Sequence, residues 1–140
     1  IRWADPEVIL THSPNDPSTD HGMTGRLVTE VILSAPSKLI PADEPPITKK
    51  PSVFFWEPGF GLNFIPEVYV DISPFIEQKL QAVDKHVSQR EWMGEFTRDS
   101  LQEHTRALAR LRGIQVGYGY AEGFAAFRTG GFMPDFKLLP

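Results

Sequence analysis

Residues 11–25 read THSPNDPSTDHGMTG and gather His12, Asp16, Asp20 and His21 into one short, turn-rich stretch. A neutral imidazole nitrogen can ligate zinc, and catalytic zinc centres take three protein ligands with water in the remaining place. His21 is the candidate ligand. Metal-bound histidines are normally oriented by a carboxylate on the other ring nitrogen, and Asp20 or Asp16 can supply it. Asp16 has a second reading, as the acceptor of an Asx-turn that holds the loop. Asp20 also reads as a helix N-cap, with His21 in the first helical turn. In that reading the stretch is an ordinary polar connection with a solvated imidazole. Both readings stand at this level.

The elements around the stretch decide where it sits. Residues 1–7 read as the tail of a helix running into a strand. Val8–Thr11 is a short β-branched run of the kind buried on both faces of a parallel sheet. Prolines, serines, Asn15 and the aspartates make residues 12–20 a loop. Met23, Leu27, Val28, Val31 and Ile32 then recur at helical spacing on one face of a helix over 21–35. In open α/β sheets ligands bind at the carboxyl ends of strands, in the loops leading to helices, and residues 12–21 hold that place.

Further along, residues 36–66 are proline-rich and irregular, broken by one strand, SVFFW at 52–56. Long loops of this kind are functional or disordered. Trp56, Phe60 and Phe64 read either as the wall of a sugar pocket or as cover for a sheet edge. EVYVDI at 67–72 is a second strand, and Ser73 with Pro74 fits N-cap and N1 of a helix. That helix places Ile76, Leu80, Val83 and Val87 inward, with Lys79, Ala82 and His86 on a neighbouring stripe. A third helix is expected from about Thr97 to Arg112, with Leu101, Leu108 and Leu111 on one face and Gly113 as its stop. IQVGYGYAEGFAAF returns to a strand or loop, then a short helical stretch containing Glu122. Strands alternating with helices predict an α/β, Rossmann-like, mostly parallel sheet flanked by helices, with residues 1–140 as a single domain.

Composition excludes several classes. The net charge of −4, without a basic block, leaves no electrostatic footprint for nucleic acid. No apolar run approaches the roughly 20 residues of a membrane-spanning helix. With no cysteine there are no disulfides or thiolate metal sites, which suits a cytoplasmic protein.

DPEVILTHSPNDPSTDHGMTGRLV resembles the second motif of the LmbE/PIG-L family of zinc-dependent N-deacetylases, whose strand ends Thr-His and whose loop ends His-Pro-Asp-His. Asp20 and His21 match the end of that motif, and Gly25 falls at its small position. YVDISPFIEQKLQAVDKHVSQREWM resembles the family's next helix at Val70, Asp71, Ile72, Lys79, His86, Ser88 and Gln89. YGYAEGFAAF resembles its Tyr-Ala-Glu element at Tyr120, Ala121, Glu122 and Phe124, and the final LLP also fits.

The resemblance implies an LmbE-like fold and a Zn2+-dependent hydrolase, with another divalent metal as an alternative. The substrate it implies is an N-acetylglucosamine-like sugar or a related small amide. His21 would hold the metal with Asp20 behind it, while His86, Gln89 and Glu122 would meet substrate. Some of these have a structural reading too: His86 as a helix packer and Gln89 and Ser88 as partners of backbone groups. Glu122, unusual for a core, reads as meeting substrate or supporting the site, and Asp71 reads as a helix cap or an active-site residue. His104, among charged neighbours, reads as part of a solvated face.

Two departures stand out. The family's opening motif, Ala-His-Pro-Asp-Asp-Glu on a first strand, is absent from these residues. By resemblance it carries the general base and the other zinc ligands, so these are expected upstream of Ile1. The chain therefore reads as the C-terminal two-thirds of such a protein, inactive alone, with its own cleaved N-terminal segment as one conceivable partner and a homo-oligomer as another. Ser18 stands where the motif has its first histidine, the group that by resemblance stabilises the oxyanion or protonates the leaving amine. Serine offers only a neutral hydrogen bond there, and His12, at the same strand end, is the candidate to take the role. A non-catalytic sugar-binding or assembly protein on the same fold is the competing expectation.

Overall fold

The computed structural model describes residues 1–96 and 100–130. The elements run β1 (Val8–His12), α1 (Thr19–Ser34), β2 (Ser52–Trp56), β3 (Val68–Asp71), a 3-10 turn (Ser73–Phe75), α2 (Ile76–Asp84), α3 (Val87–Phe96), α4 (Leu101–Val116) and β4 (Ala121–Ala126). The expected α/β class holds, with helices flanking a four-stranded sheet in the order β1-β2-β4-β3. The sheet is mixed. β1 and β2 are parallel, joined by the α1 crossover, whereas β4 runs antiparallel to β2. β4 also replaces the short helix expected around Glu122. Along β4 Ala121 and Gly123 are buried on either side of the less buried Glu122, and Phe124 is buried as well.

The described residues form two compact units, residues 1–58 with 124–130, and residues 59–96 with 100–123. In the first, Ile32, Ala35, Ile47 and Val53 make the core, with Ile9 and Phe127 packed against them. Ile32 and Val53 are fully buried, each contributing roughly 1.5–3 kcal/mol of apolar transfer.

Two sequence expectations change here. β1 is buried on one face only: Ile9 meets the core and Thr11 is buried, while Val8 and Leu10 are 55% and 50% exposed. A strand alternates sides, so one covered face hides only every second residue. On α1, Met23, Leu27 and Val31 are exposed, and the buried residues are Gly22, Gly25 and Ile32. The bulky stripe yields to the small one because glycine lets the helix approach the end of β1 closely.

Residues 2–4 form a turn, in place of the expected helix tail. Its Arg2 donates to four backbone carbonyls, Ala35 (3.0 Å), Ser37 (2.7 Å), Ile40 (3.2 Å) and Glu44 (3.2 Å). The guanidinium thus ties the C-terminal end of α1 to the proline-rich segment, where a cation also complements the helix dipole.

In the second unit, Ile72, Ile76, Leu80 and Ala109 form the core with Tyr120 against it. The Ser73–Pro74 start opens as a 3-10 turn before α2. The single helix expected to carry Val87 inward stops at Asp84, and α3 restarts at Val87, which is exposed. The 76-80-83 periodicity does not survive that break at Lys85 and His86. His86 lies in the break, its carbonyl accepting from Arg90 N–H.

α4 begins and ends later than expected; residues 97–99 lie outside the described ones. Its N-terminus is a capping box: the Ser100 hydroxyl accepts from Glu103 N–H (3.2 Å), and the Glu103 carboxylate accepts from Ser100 N–H (2.8 Å). The helix passes through Gly113 and ends at Gly117, whose φ of 80° suits a residue without Cβ. Gly113 is a packing position, where a Cβ would come within 2.8 Å of the Tyr118 carbonyl oxygen. Leu111, expected inward, is exposed, and Ala109, Arg112 and Gly113 are the buried residues.

Ser100→Ala is expected to cost about 1 kcal/mol in denaturant unfolding at neutral pH. The hydrogen bonds from the Ser100 backbone N–H, and then from its side chain, hold the Glu103 carboxyl below its ordinary range. A depressed carboxyl contributes its stability above the unfolded-state pKa and loses it as the pH falls through the folded value. The difference between variant and parent should therefore narrow in acid; a difference constant with pH would contradict this.

Candidate functional site

β1 and β2 are each five residues long, and their parallel register sets Val8 beside Ser52 and His12 beside Trp56. The two strands therefore end together at a histidine and a tryptophan. From there the chain turns through residues 13–18 into α1. Asp16 N–H donates to the Ser13 carbonyl (3.0 Å), and Asn15 N–H to the Ser13 hydroxyl (3.2 Å). Ser18 N–H donates to Asp16 Oδ1 (2.9 Å), closing the Asx-turn.

The other oxygen of Asp16 does something more. Oδ2 lies 3.2 Å from His21 Nδ1, and the carboxylate is only 3% exposed. An ionised carboxylate can only accept, so His21 Nδ1 carries the proton and its Nε2 keeps the lone pair. This is the arrangement that orients a metal-ligating imidazole.

The carboxylate behind His21 is thus Asp16, not Asp20. Asp20 is exposed in the first turn of α1, and its carbonyl accepts from the Thr24 hydroxyl (2.8 Å). Adjacent helical residues point about 100° apart, which turns Asp20 away from its neighbour. Nor is Asp20 the cap: the N-cap is Ser18, in extended conformation, and its hydroxyl makes no capping bond.

The rings of His12 and His21 stack, 3.9 Å between centroids and 17° between planes. Trp56 Nε1–H donates to His12 Nδ1 at 2.9 Å, its ring edge-on to the imidazole. His12 Nδ1 is 4.0 Å from Asp16 Oδ2. Partial burial, then the neighbouring His21, lower the pKa of His12, against the opposing pull of Asp16 and Asp20. His12, Asp16 and His21 offer ligand atoms within 4.8 Å of one another, and form the one such group among the described residues.

The remaining expected residues belong to the second unit. Glu122 accepts from Lys79 Nζ at 2.6 Å, linking β4 to α2. His86 and Gln89 are exposed. Asp71 Oδ1 accepts from the Ser73 hydroxyl (2.6 Å) and N–H (2.9 Å), bonds that lower its pKa. The N-cap of the following turn is Ile72, so Asp71 braces that turn from one residue before it rather than capping a helix. Phe60 packs edge-on against His104 at 5.2 Å, so His104 is not simply solvated.

Sequence reasoning missed the bond between Trp56 and His12. Two five-residue strands, VILTH and SVFFW, aligned end to end would have shown it.

No family model matches the chain. Solved structures with the same fold include the 4-carboxy-2-hydroxymuconate hydratase GalB from Pseudomonas putida, 24% identical with a TM-score of 0.75. That match covers 99% of this chain and 57% of the hydratase. A conserved protein from Thermus thermophilus is 29% identical, TM-score 0.75, over 89% of this chain and 53% of its own. The N,N'-diacetylchitobiose deacetylase from Pyrococcus horikoshii is 22% identical, TM-score 0.71, over 90% and 47%. The chain thus spans about half the length of these proteins, and its fold is the LmbE-like α/β fold they share.

Proposed function

We propose that this chain belongs to a divalent-metal-dependent hydrolase of the LmbE/PIG-L type, acting on the N-acetyl amide of an amino sugar or a related small conjugate. The observation that carries the reading is the buried Asp16 carboxylate on His21 Nδ1, which leaves Nε2 with a lone pair. The three ordered motifs support it, as does the fold shared with a chitobiose deacetylase. The donors fit zinc, which takes imidazole nitrogen and carboxylate oxygen. His21 would hold the ion, and the resemblance supplies the further ligands and the general base from a motif that these residues do not contain.

When bound, the metal supplies a water of lowered pKa and a polarised amide carbonyl. Asp16 fixes the ring and tautomer of His21. His12, stacked on His21, stands in for the imidazole that Ser18 replaces, as a donor to the oxygen that gains charge. A fold does not choose the reaction; a hydratase has this one too.

The test is to incubate the natural protein with zinc and N-acetylglucosamine-type amides and to follow free amine and acetate. Release that a chelator abolishes and zinc restores is the expected result. Sugar binding without release would favour the non-catalytic reading. Addition of water to an unsaturated carboxylate, without amide cleavage, would overturn the substrate class.

A further inference from the structure

We propose that Trp56 is a positioning residue that fixes the proton of His12 on Nε2, making His12 an N–H donor and removing it from the metal-ligand set. An indole N–H can only donate. At 2.9 Å from Trp56 Nε1, His12 Nδ1 must therefore be the acceptor, and it cannot carry a proton without facing another donor. The competing partner is too far away: Asp16 Oδ2, which could draw a proton onto Nδ1, is 4.0 Å off and already bonded to His21. The single lone pair of neutral His12 is thus taken by Trp56, and Nε2 carries the hydrogen.

The two stacked rings consequently differ in chemistry although both are imidazoles. His21 is protonated at Nδ1 by virtue of Asp16 and offers a lone pair. His12 is protonated at Nε2 by virtue of Trp56 and offers a hydrogen. Proximity alone groups His12, Asp16 and His21 as three ligands; the hydrogen bonds divide the histidines into one ligand and one donor. A neutral donor beside a metal-ligating imidazole suits a carbonyl oxygen as it becomes an oxyanion, a type of contact worth about 10²–10³ in kcat. That last step rests on the proposed hydrolysis; the tautomer does not.

The device is built by strand pairing. Trp56 and His12 are 44 residues apart in sequence and are neighbours because β1 and β2 are parallel and in register to their last residues.

Nitrogen NMR of the chain with labelled histidines tests the tautomer without substrate or metal. Of the four histidines, His12 is assigned by its loss in His12→Gln. The expected spectrum shows His12 protonated at Nε2, with Nδ1 unprotonated and hydrogen-bonded. In Trp56→Phe, which keeps an aromatic ring but loses the N–H, the Nδ1–H form should grow because the donor that held Nδ1 as an acceptor is gone. Parent His12 protonated at Nδ1, or the same tautomer mixture in parent and Trp56→Phe, would overturn the proposal. The parent spectrum decides even if the variant does not fold. If the hydrolysis is confirmed, Trp56→Phe should lower kcat with KM little changed, by less than the roughly 10²–10³-fold that loss of the donor itself costs. An inactive parent with the Nε2–H tautomer would fault the proposed reaction and leave the positioning role standing.

Discussion

Replacing His21 by alanine is expected to remove metal binding and hydrolysis together in the natural protein, down to the background rate. On the proposed function the imidazole is the metal donor this chain contributes, and His12, with its lone pair engaged by Trp56, does not replace it.

The more discriminating variant is Asp16→Asn, which keeps size and shape. An amide has one oxygen where the carboxylate has two. If that oxygen continues to accept from Ser18 N–H, the amide N–H group faces His21 Nδ1 and forces it to accept. The proton then moves to Nε2, and the lone pair meant for the metal disappears. Loss of such a supporting contact is expected to weaken metal affinity by about 10–100-fold, read by zinc titration, with the melting temperature changed far less. Unchanged affinity in Asp16→Asn would show that the Asp16–His21 contact does not prepare a ligand.

Gly25→Ala should be strongly destabilising although alanine is the better helix former. A Cβ at this position would lie 2.4 Å from the His12 carbonyl oxygen, 2.9 Å from Pro14 N and 3.0 Å from Ser13 C. All three are backbone atoms, so no side chain can rotate away; α1 must move off the end of β1. Such overpacking costs about 1–3 kcal/mol and occasionally more, and the helix propensity of alanine returns about 1 kcal/mol. Since the obstruction is backbone, the upper end of the range applies, and a net loss of about 2 kcal/mol is expected in denaturant unfolding.

Gly94→Ala is the internal control. Gly94 is exposed within α3 and a Cβ there meets nothing within 4 Å. The same exchange should stabilise by up to about 1 kcal/mol. Both variants shifting stability in the same direction would refute the close-approach account of Gly25. Because the atom in the way is the carbonyl of His12, Gly25→Ala should also disturb the stacking of His12 on His21, and so weaken function beyond its effect on folding.

What the amino-acid sequence determined by itself is mostly local. The strands at 8–11 and 52–56, a loop beginning at residue 12, a helix over much of 21–35, a helical start near Ser73–Pro74 and the α/β class all follow from short-range propensity and periodicity, which any local window contains. The small residue at Gly25 was also legible, as was His21 as a candidate ligand, because their motif is contiguous. The tertiary structure decided the rest, through contacts between residues far apart or on different faces. Which stripe of α1 is buried was settled by how closely the helix meets the end of β1, so Gly22 and Gly25 prevailed over Met23 and Leu27. The partner of His21 was settled by a loop that folds back five residues to present Asp16, while adjacent Asp20 points elsewhere. The state of His12 was settled by strand register, which pairs it with Trp56 across 44 residues. Residue type places an imidazole in a sequence; only its three-dimensional partners decide which nitrogen holds the proton.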